Sequence, residues 1–395
     1  MSQLYFDHAA SAPRRVEVAE AMAPWMHGVV GNPSGSHRAA RAARRAVEDA
    51  RDVVGAFCGV APGGVVFTAG GTESCTLAVT GVARAHRRDH DRTTLVVSAV
   101  EHHAVLDAAH SMAADFASVA VREIGVDVDG VLDVAALHDA LDDTVALVSV
   151  MAVNNETGVV QPLDAVVAAV AERGGGPVVT HSDAVAAAPW LDLATGTEGI
   201  DAVSLCGHKL GGPVNSGALV LRHDVDLVAL MPGGGQERGR RGGTLDVAAC
   251  VGLAAAIRCV EAERRSGHER VRALQGRLRA ALSQLPGARV TAAAALSVPG
   301  TVHVTFAGLA SDELLFLLDQ DGVCASAAAS CSSGASVSSH VLAAMGVAPE
   351  RARGSLRLSM GHETSDDDVD AVIAAVTRAV ERLERESRSR RQLAD

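Results

Sequence analysis

The sequence predicts an α/β protein: a large domain on a mostly parallel sheet, with a smaller α+β domain after it. Three observations carry this. Between Val65 and about Leu221, short β-branched runs alternate with alanine-rich helical stretches, the pattern of parallel strands covered on both faces by their connecting helices. A long helical region from about Asp246 to Leu285 then separates these runs from a new strand at Val302–Phe306 and a helix at Ser311–Asp321. A length of 395 residues is enough for two or three domains with a large buried core. The large domain is placed at residues 14–257, and the small one at 1–13 with 258–395.

Taken in order, residues 1–13 (MSQLYFDHAASAP) read as a short extended segment closing on Pro13. Asn32-Pro33-Ser34-Gly35-Ser36-His37 is a turn-rich loop ahead of a long amphipathic helix, roughly Arg38 to Cys58, with alanines and valines from Ala39 to Val54 on one broad face. The expected strands of the large domain are Val65–Thr68, Thr94–Ser98, Thr144–Val150, Val178–His181, Ala202–Leu205 and Gly217–Leu221. Ligands in such sheets sit at the carboxyl ends of strands, so the residues just after each run matter most. Gly233 to Thr244 form a glycine- and arginine-rich loop. Ala325 to Ser339 holds no charged residue and is rich in serine, alanine and glycine, which predicts a mobile loop. The tail from Arg378 to Asp395 is charged, helical and then frayed.

Composition narrows the function. A net charge of −12 without a basic block argues against nucleic acid as the main partner. The most apolar stretch, Val145 to Val153, falls far short of a membrane span, and no secretory signal is visible. A cytoplasmic protein is expected. The seven cysteines are scattered without CxxC pairs, so neither a metal site nor a disulfide framework is expected. Cys58, Cys75, Cys250 and Cys259 fall in helical patterns and read as buried or structural.

Lys209 is the only lysine in the chain. Arginine can replace lysine wherever a solvated cation is enough, but not where chemistry needs a neutral amine. The one retained lysine is therefore either a leftover surface residue or the amine of a Schiff base with an aldehyde such as pyridoxal phosphate. Its neighbours favour the second reading. Gly70-Gly71-Thr72 follows a strand and opens a helix, where backbone N–H groups bind phosphate. His102-His103 follow the next strand, and one of them could stack on a ring. Asn154 to Gly158 follow the apolar strand. Asp183 follows Val178–His181, placed to keep a pyridine nitrogen protonated. Each feature alone has an ordinary structural reading; together they describe one cofactor site.

The pieces YFDHAAS, GNPSGSH, FTAGGTES, EHHAVL, VNNETG, HSDA, GHK, GGGQERGRRGGT, CSSGASVSSHVL and SLRLSMG occur in this order. With them the chain resembles the cysteine desulfurases, class V aminotransferase-like enzymes of fold type I, over nearly its whole length. The segment around Cys331 resembles the group with a long catalytic-cysteine loop, at about 324–340 here. The resemblance implies that Lys209 holds pyridoxal 5'-phosphate, Asp183 meets its ring nitrogen and His102 stacks over the ring. Gly71, Thr72, Cys206 and His208 would lie at the phosphate, with Thr244 reaching it from the partner subunit of a homodimer. Asn155 would contact the cofactor and, with Arg357, grip the carboxylate of L-cysteine. Cys331 would take the sulfur as a persulfide and pass it to an acceptor protein. An exposed nucleophilic thiol in a chargeless loop agrees with this from the residues alone; Cys324, beside the end of a strand at Val323, reads as packed.

Four positions depart from the family pattern. Ala186 stands where a glutamine usually meets the cofactor phenolic oxygen, and Cys206 where a serine usually offers a phosphate-binding hydroxyl. Thr76 replaces a common asparagine, and Ala328 a common glycine. Two rival readings remain: a selenocysteine or other C–S lyase, against which the Cys331 loop argues, and a non-catalytic scaffold, against which Lys209, Asp183, His102, Asn155 and Cys331 argue.

Overall fold

Valine- and leucine-rich runs become strands, and the alanine-rich stretches between them become the helices that cover the sheet. The computed structural model describes residues 3–28, 31–89, 92–173, 178–223, 225–327 and 339–394. The chain opens with β1 (Leu4–Tyr5), α1 (Val16–His27) and α2 (Arg38–Phe57). The large domain continues through β2 (Val65–Thr68), α3 (Gly71–Asp89), β3 (Thr94–Ser98), α4 (His103–Asp115), β4 (Ala120–Ile124) and α5 (Val134–Ala140). It is completed by β5 (Val145–Ser149), α6 (Leu163–Arg173), β6 (Val179–Asp183), α7 (Leu193–Gly196), β7 (Ala202–Cys206) and β8 (Gly217–Leu221). After α8 (Val247–Ser283) come β9 (Ala288–Val290), β10 (Thr301–Phe306), α9 (Ser311–Gln320) and β11 (Val323–Cys324). The chain ends with α10 (His340–Ala344), α11 (Pro349–Ala352), β12 (Ser355–Ser359) and α12 (Asp366–Ala394).

Among the described residues, seven strands form the main sheet in the order β2-β8-β7-β6-β5-β3-β4. The strands from β4 to β7 pair in parallel, whereas β8 runs antiparallel to both β7 and β2. Two reversals restore direction, so β2 points the same way as β7 and ends on the same rim. Side chains alternate between two cores. Val96 joins Val47, Val54 and Leu253 on the face covered by α2 and α8, while Leu95 and Val97 join Leu77 and Val105 beneath α3 and α4.

Strand β4 is absent from the expected set. It closes one edge of the sheet and carries Arg122 and Glu123, charges that keep an edge from pairing further and also break the apolar run. The opposite edge, β2, is closed by side chains. The Glu237 carboxylate accepts the Phe67 N–H at 2.7 Å and forms a two-point ion pair with Arg51 at 2.7 and 2.9 Å. Arg51 Nη1 also donates to the Val65 carbonyl at 2.8 Å. Both side chains are buried, so removing one partner would cost on the order of 3–5 kcal/mol. This pair holds the glycine–arginine loop in place although Glu237 and Arg238 adopt positive φ of 49° and 58°.

In the small domain β10 lies between β9 and β12, antiparallel to both. Its core is Val302, Val304, Phe306, Leu356 and Leu358 under α9 and α12. The amino-terminal segment joins this domain because β1 pairs with β11. The 37-residue α8 serves both domains, with Leu253 and Ile257 in one core and Val271 and Leu278 in the other. Helix α12 starts at Asp366, well before the charged tail, because Val369, Val372 and Val376 recur at helical spacing in the small-domain core. Among the described residues no helix is long and apolar enough to cross a membrane.

Candidate active site

The carboxyl ends of β2, β3, β5, β6 and β7 open on one cleft of about 580 Å³, and Arg357 of β12 faces it from the small domain. Each strand end delivers a group. After β2 the chain turns into α3, so Gly71 and Thr72 stand where a helix start leaves backbone N–H groups without intrahelical partners. A Cβ on Gly71 would lie 2.8 Å from Val185 Cγ2, so glycine is what lets the two walls approach. After β3, His102 caps α4, its Nδ1 accepting the Ala104 N–H at 3.0 Å. After β5, Asn154 holds a turn: its Oδ1 accepts the N–H groups of Glu156 and Thr157 at 3.0 and 2.9 Å, and its Nδ2 donates to the Val100 carbonyl. That turn puts Asn155 in the cleft, where Asp183 from β6 and His208 and Lys209 after β7 also lie.

The amino-terminal segment supplies a wall of the cleft. Lys209 Nζ donates to the carbonyls of Ala9 and Ala10, the latter at 2.8 Å, and the Ala12 N–H donates to the His208 carbonyl at 2.9 Å. Arg357 is held from two sides, Nη1 donating to the Asn155 carbonyl and Nη2 to Asp7, each at 2.9 Å. Its Nε is buried without a partner among the described residues. Asp7 and the wall were invisible in the sequence, since a short extended segment has no periodicity to read. Glu73 was also missed. It lines the cleft, accepts the Ala69 N–H at 2.6 Å and pairs with Arg241 at 2.8 Å, tying the start of α3 to the glycine–arginine loop. An acid in the first turn of a helix was its only signal.

Burial sets the electrostatics. It pushes His102 below the usual imidazole range, with the Asp183 charge pulling the other way. With Nδ1 occupied as an acceptor, a neutral His102 carries its proton on Nε2. Burial, reinforced by the Lys209 charge, pushes His208 down to about 4. Asp183 is raised by burial against the opposing pull of His102, of the Val185 N–H and of Lys209. The cleft thus presents neutral imidazoles and two carboxylates: Glu73, already paired with Arg241, and Asp183, whose charge calls for a cationic neighbour.

One expected contact lies elsewhere. Cys206 does not line the cleft: it is the fully buried last residue of β7, its Sγ 3.9 Å from His208 Nε2. Burial pushes its thiol up to about 11, and it supports His208 rather than facing a ligand. Thr244 lies with Asn32 and Arg238 in a separate recess and not in the cleft of its own chain. Cys331 and the expected mobile loop, apart from its ends, lie outside the described residues. The flanking ends are anchored at the cleft, Ser326 accepting the Arg357 N–H at 2.7 Å and the Ser339 hydroxyl donating to Glu156 at 2.5 Å. Cys324 is half-buried rather than packed, because β11 is only two residues long and the Gln3 amide reaches its sulfur at 2.8 Å. Cys259 is likewise half-buried, while Cys58, Cys75 and Cys250 are buried. Ala186 offers no donor to the cleft and also borders a narrower cavity of about 80 Å³ behind Lys209, lined in part by His8.

The residues fit a phosphorylated pyridine aldehyde. His208 Nδ1 is buried without a partner among the described residues, beside a bare helix start, and a phosphate would complete its hydrogen bond. Asp183 needs a cation such as a protonated ring nitrogen, and the single lysine suits an aldehyde.

Residues 4–372 match the aminotransferase class-V family. An IscS-like cysteine desulfurase of Mycobacterium tuberculosis is 43% identical over 387 residues, covering 96% of this chain and 97% of that protein. The chain belongs to the cysteine desulfurases of the class-V aminotransferase family. Among solved structures, a NifS-like protein matches with a TM-score of 0.89 at 30% identity, over 97% of this chain and 100% of the other. The structure of SspA in complex with cysteine matches with a TM-score of 0.79 at 28% identity, over 92% of this chain and 100% of the other. The chain is accordingly a pyridoxal-phosphate-dependent enzyme of fold type I.

Proposed function

We propose that this enzyme moves the sulfur of L-cysteine onto Cys331, releases L-alanine, and passes the sulfur to a scaffold, carrier or biosynthetic enzyme that builds iron–sulfur clusters or thio-cofactors. The observation that carries the reading is one cleft lined by Thr72, His102, Asp183, His208, Lys209 and Arg357, with both anchors of the Cys331 segment beside it. When bound, pyridoxal phosphate supplies an aldehyde for covalent attachment and a ring that accepts the electron pair released at the substrate α-carbon. Lys209 would hold the aldehyde and, as a neutral amine, would move the α-proton. Asp183 would keep the ring nitrogen protonated, and His102 would lie against the ring. Thr72, the N–H groups at Gly71 and the Nδ1 of His208 hold the phosphate. Asn155 and Arg357 hold the substrate carboxylate, Arg357 being already oriented by Asp7. The Cys331 thiolate attacks the substrate sulfur, forming an S–S bond as the Cβ–S bond breaks. We place the enzyme in the cytoplasm, whose reducing conditions keep such a thiol unoxidised.

The test is product balance. Purified enzyme given L-cysteine and a reductant should release alanine and sulfide in equal amounts; given one equivalent of L-cysteine per Cys331 and no other thiol, it should release alanine and keep the sulfur as a persulfide. Sulfide accompanied by pyruvate instead of alanine would overturn the proposal.

The site is proposed to be completed in a homodimer. Thr244 lies outside its own chain's cleft, on a loop that in this reading reaches the phosphate of the partner. Lys209→Ala and Thr244→Ala chains should each be inactive, but mixed and re-equilibrated they should regain about a quarter of wild-type activity, since half the dimers would carry one intact site of two. Full activity of Thr244→Ala by itself, or of a monomer in sedimentation, would refute this.

A further inference from the structure

The turn that presents Asn155 to the cleft also carries a buried acid that the turn itself does not need. Glu156 is 5% exposed. Asn154 Oδ1 already accepts the Glu156 N–H, the Thr157 N–H and the Thr157 hydroxyl at 3.0, 2.9 and 3.0 Å, which satisfies the turn without the Glu156 side chain. That carboxylate instead accepts the Ser339 hydroxyl at 2.5 Å. A backbone N–H can only donate, so the Ser339 oxygen accepts from Leu342 at 3.0 Å, caps α10 and keeps its proton for Glu156. The next residue, His340, donates from Nε2 to the Glu101 carbonyl at 2.9 Å, one residue before His102. On the other side of the Cys331 segment, Ser326 and Arg357 exchange backbone hydrogen bonds at 2.7 and 3.3 Å, and Arg357 Nη1 donates to the Asn155 carbonyl at 2.9 Å. The peptide between Asn155 and Glu156 is the meeting point: its carbonyl holds Arg357, which holds Ser326, and the Glu156 side chain holds Ser339.

We infer that Glu156 is a positioning residue for the sulfur-transfer step, fixing through Ser339 the chain that follows Cys331 relative to the residues that hold the substrate carboxylate. The inference rests on the reaction proposed above. Glu156 does not line the cleft, so it acts through Ser339 and not on the substrate. A carboxylate in so buried a place is costly unless it is hydrogen-bonded, and an apolar residue there would leave the turn all of its Asn154 bonds. What the acid adds is a directed contact to a residue far along the chain. Asn155 and Arg357 keep their bond to each other, and Arg357 its bond to Asp7, without the Glu156 side chain. Attack on the substrate sulfur needs the two sulfurs in near-contact, and a displacement of about 1 Å can cost a rate about a hundredfold. Loss of the Glu156 contact should therefore be felt in sulfur transfer and not in the grip on the carboxylate.

Two measurements separate placement from plain stability. L-Alanine has the amine and carboxylate of the substrate but no sulfur, so its affinity for the holoenzyme, followed by absorbance, reports the carboxylate grip alone. Sulfur transfer is followed in a single turnover with L-cysteine by mass spectrometry of the Cys331 peptide. Glu156→Ala should keep L-alanine affinity within about threefold of the wild type and slow persulfide formation by about tenfold or more. Ser339→Ala should do the same, and the double variant should be no slower than the slower single one, because the two side chains act as a unit. Glu156→Gln, whose amide oxygen can accept the same hydroxyl, should return the rate to within about threefold of the wild type. Persulfide formation at the wild-type rate in Glu156→Ala, a parallel loss of L-alanine affinity, or additive effects of the two substitutions would overturn the inference. Should Glu156→Ala fail to fold, Ser339→Ala and Glu156→Gln decide it by the same two measurements. A wild type that forms no persulfide on Cys331 would sink the proposed reaction and the inference with it. Persulfide formed equally fast by the wild type and both alanine variants would sink the inference alone.

Discussion

Lys209→Arg should lose alanine production by several orders of magnitude while the protein stays folded. The contacts of the side chain explain why this substitution isolates the chemistry. Lys209 Nζ donates to the carbonyls of Ala9 and Ala10, and a guanidinium can donate to the same two oxygens, so the wall of the cleft keeps its hydrogen bonds and its positive charge. What is lost is the capacity to become a neutral amine, because arginine stays protonated in proteins. Lys209→Ala should be equally inactive and should bind pyridoxal phosphate only non-covalently. Borohydride reduction of the wild type should fix a pyridoxyl label on one peptide, the one containing Lys209, since the chain has no other lysine. Label confined to the amino-terminal amine, or turnover in Lys209→Arg near that of the wild type, would remove Lys209 from the mechanism.

Where the sequence was legible, a single physical pattern dominated. Strands β3 and β8 start and end where the expected runs do, because both are buried throughout and their middles are apolar. Strand β4 was hidden by its charged edge residues, β9 by its length of three residues, and β12 by Ser355, Arg357 and Ser359, which leave it only two apolar residues. The same contrast holds at the site. Asp183 was found by its position at a strand end and His208 by the family resemblance, and both line one cleft with Gly71, Thr72, His102, Asn155, Lys209 and Arg357. The side chain of Cys206 could not be placed, since whether the last residue of a strand faces the cleft or the core depends on register. Asp7 depends on a contact with a segment far along the chain, and no local pattern announces it, while Glu73 showed only as an acid in the first turn of a helix.

Cys331→Ser should separate sulfur transfer from everything before it. The thiolate acts only on the substrate sulfur, whereas Lys209, Asp183 and the phosphate contacts act earlier, so the variant should bind pyridoxal phosphate and L-cysteine as the wild type does. Alanine and persulfide should nevertheless fall by several orders of magnitude, because a serine hydroxyl at neutral pH is far less nucleophilic toward sulfur than a thiolate. Ser326 pairs with the Arg357 backbone and Ser339 with Glu156, contacts that a substitution at Cys331 leaves chemically unchanged. Cys324 provides the control. It is half-buried at the end of β11, with its sulfur accepting from Gln3, so Cys324→Ser should cost at most about 1 kcal/mol of stability and leave turnover intact. In mass spectrometry the wild type treated with L-cysteine should carry one additional sulfur on the Cys331 peptide, removable by a reductant. Near-normal alanine production by Cys331→Ser would show that sulfur leaves without this nucleophile, and the enzyme would then be a lyase rather than a sulfur-transferring desulfurase.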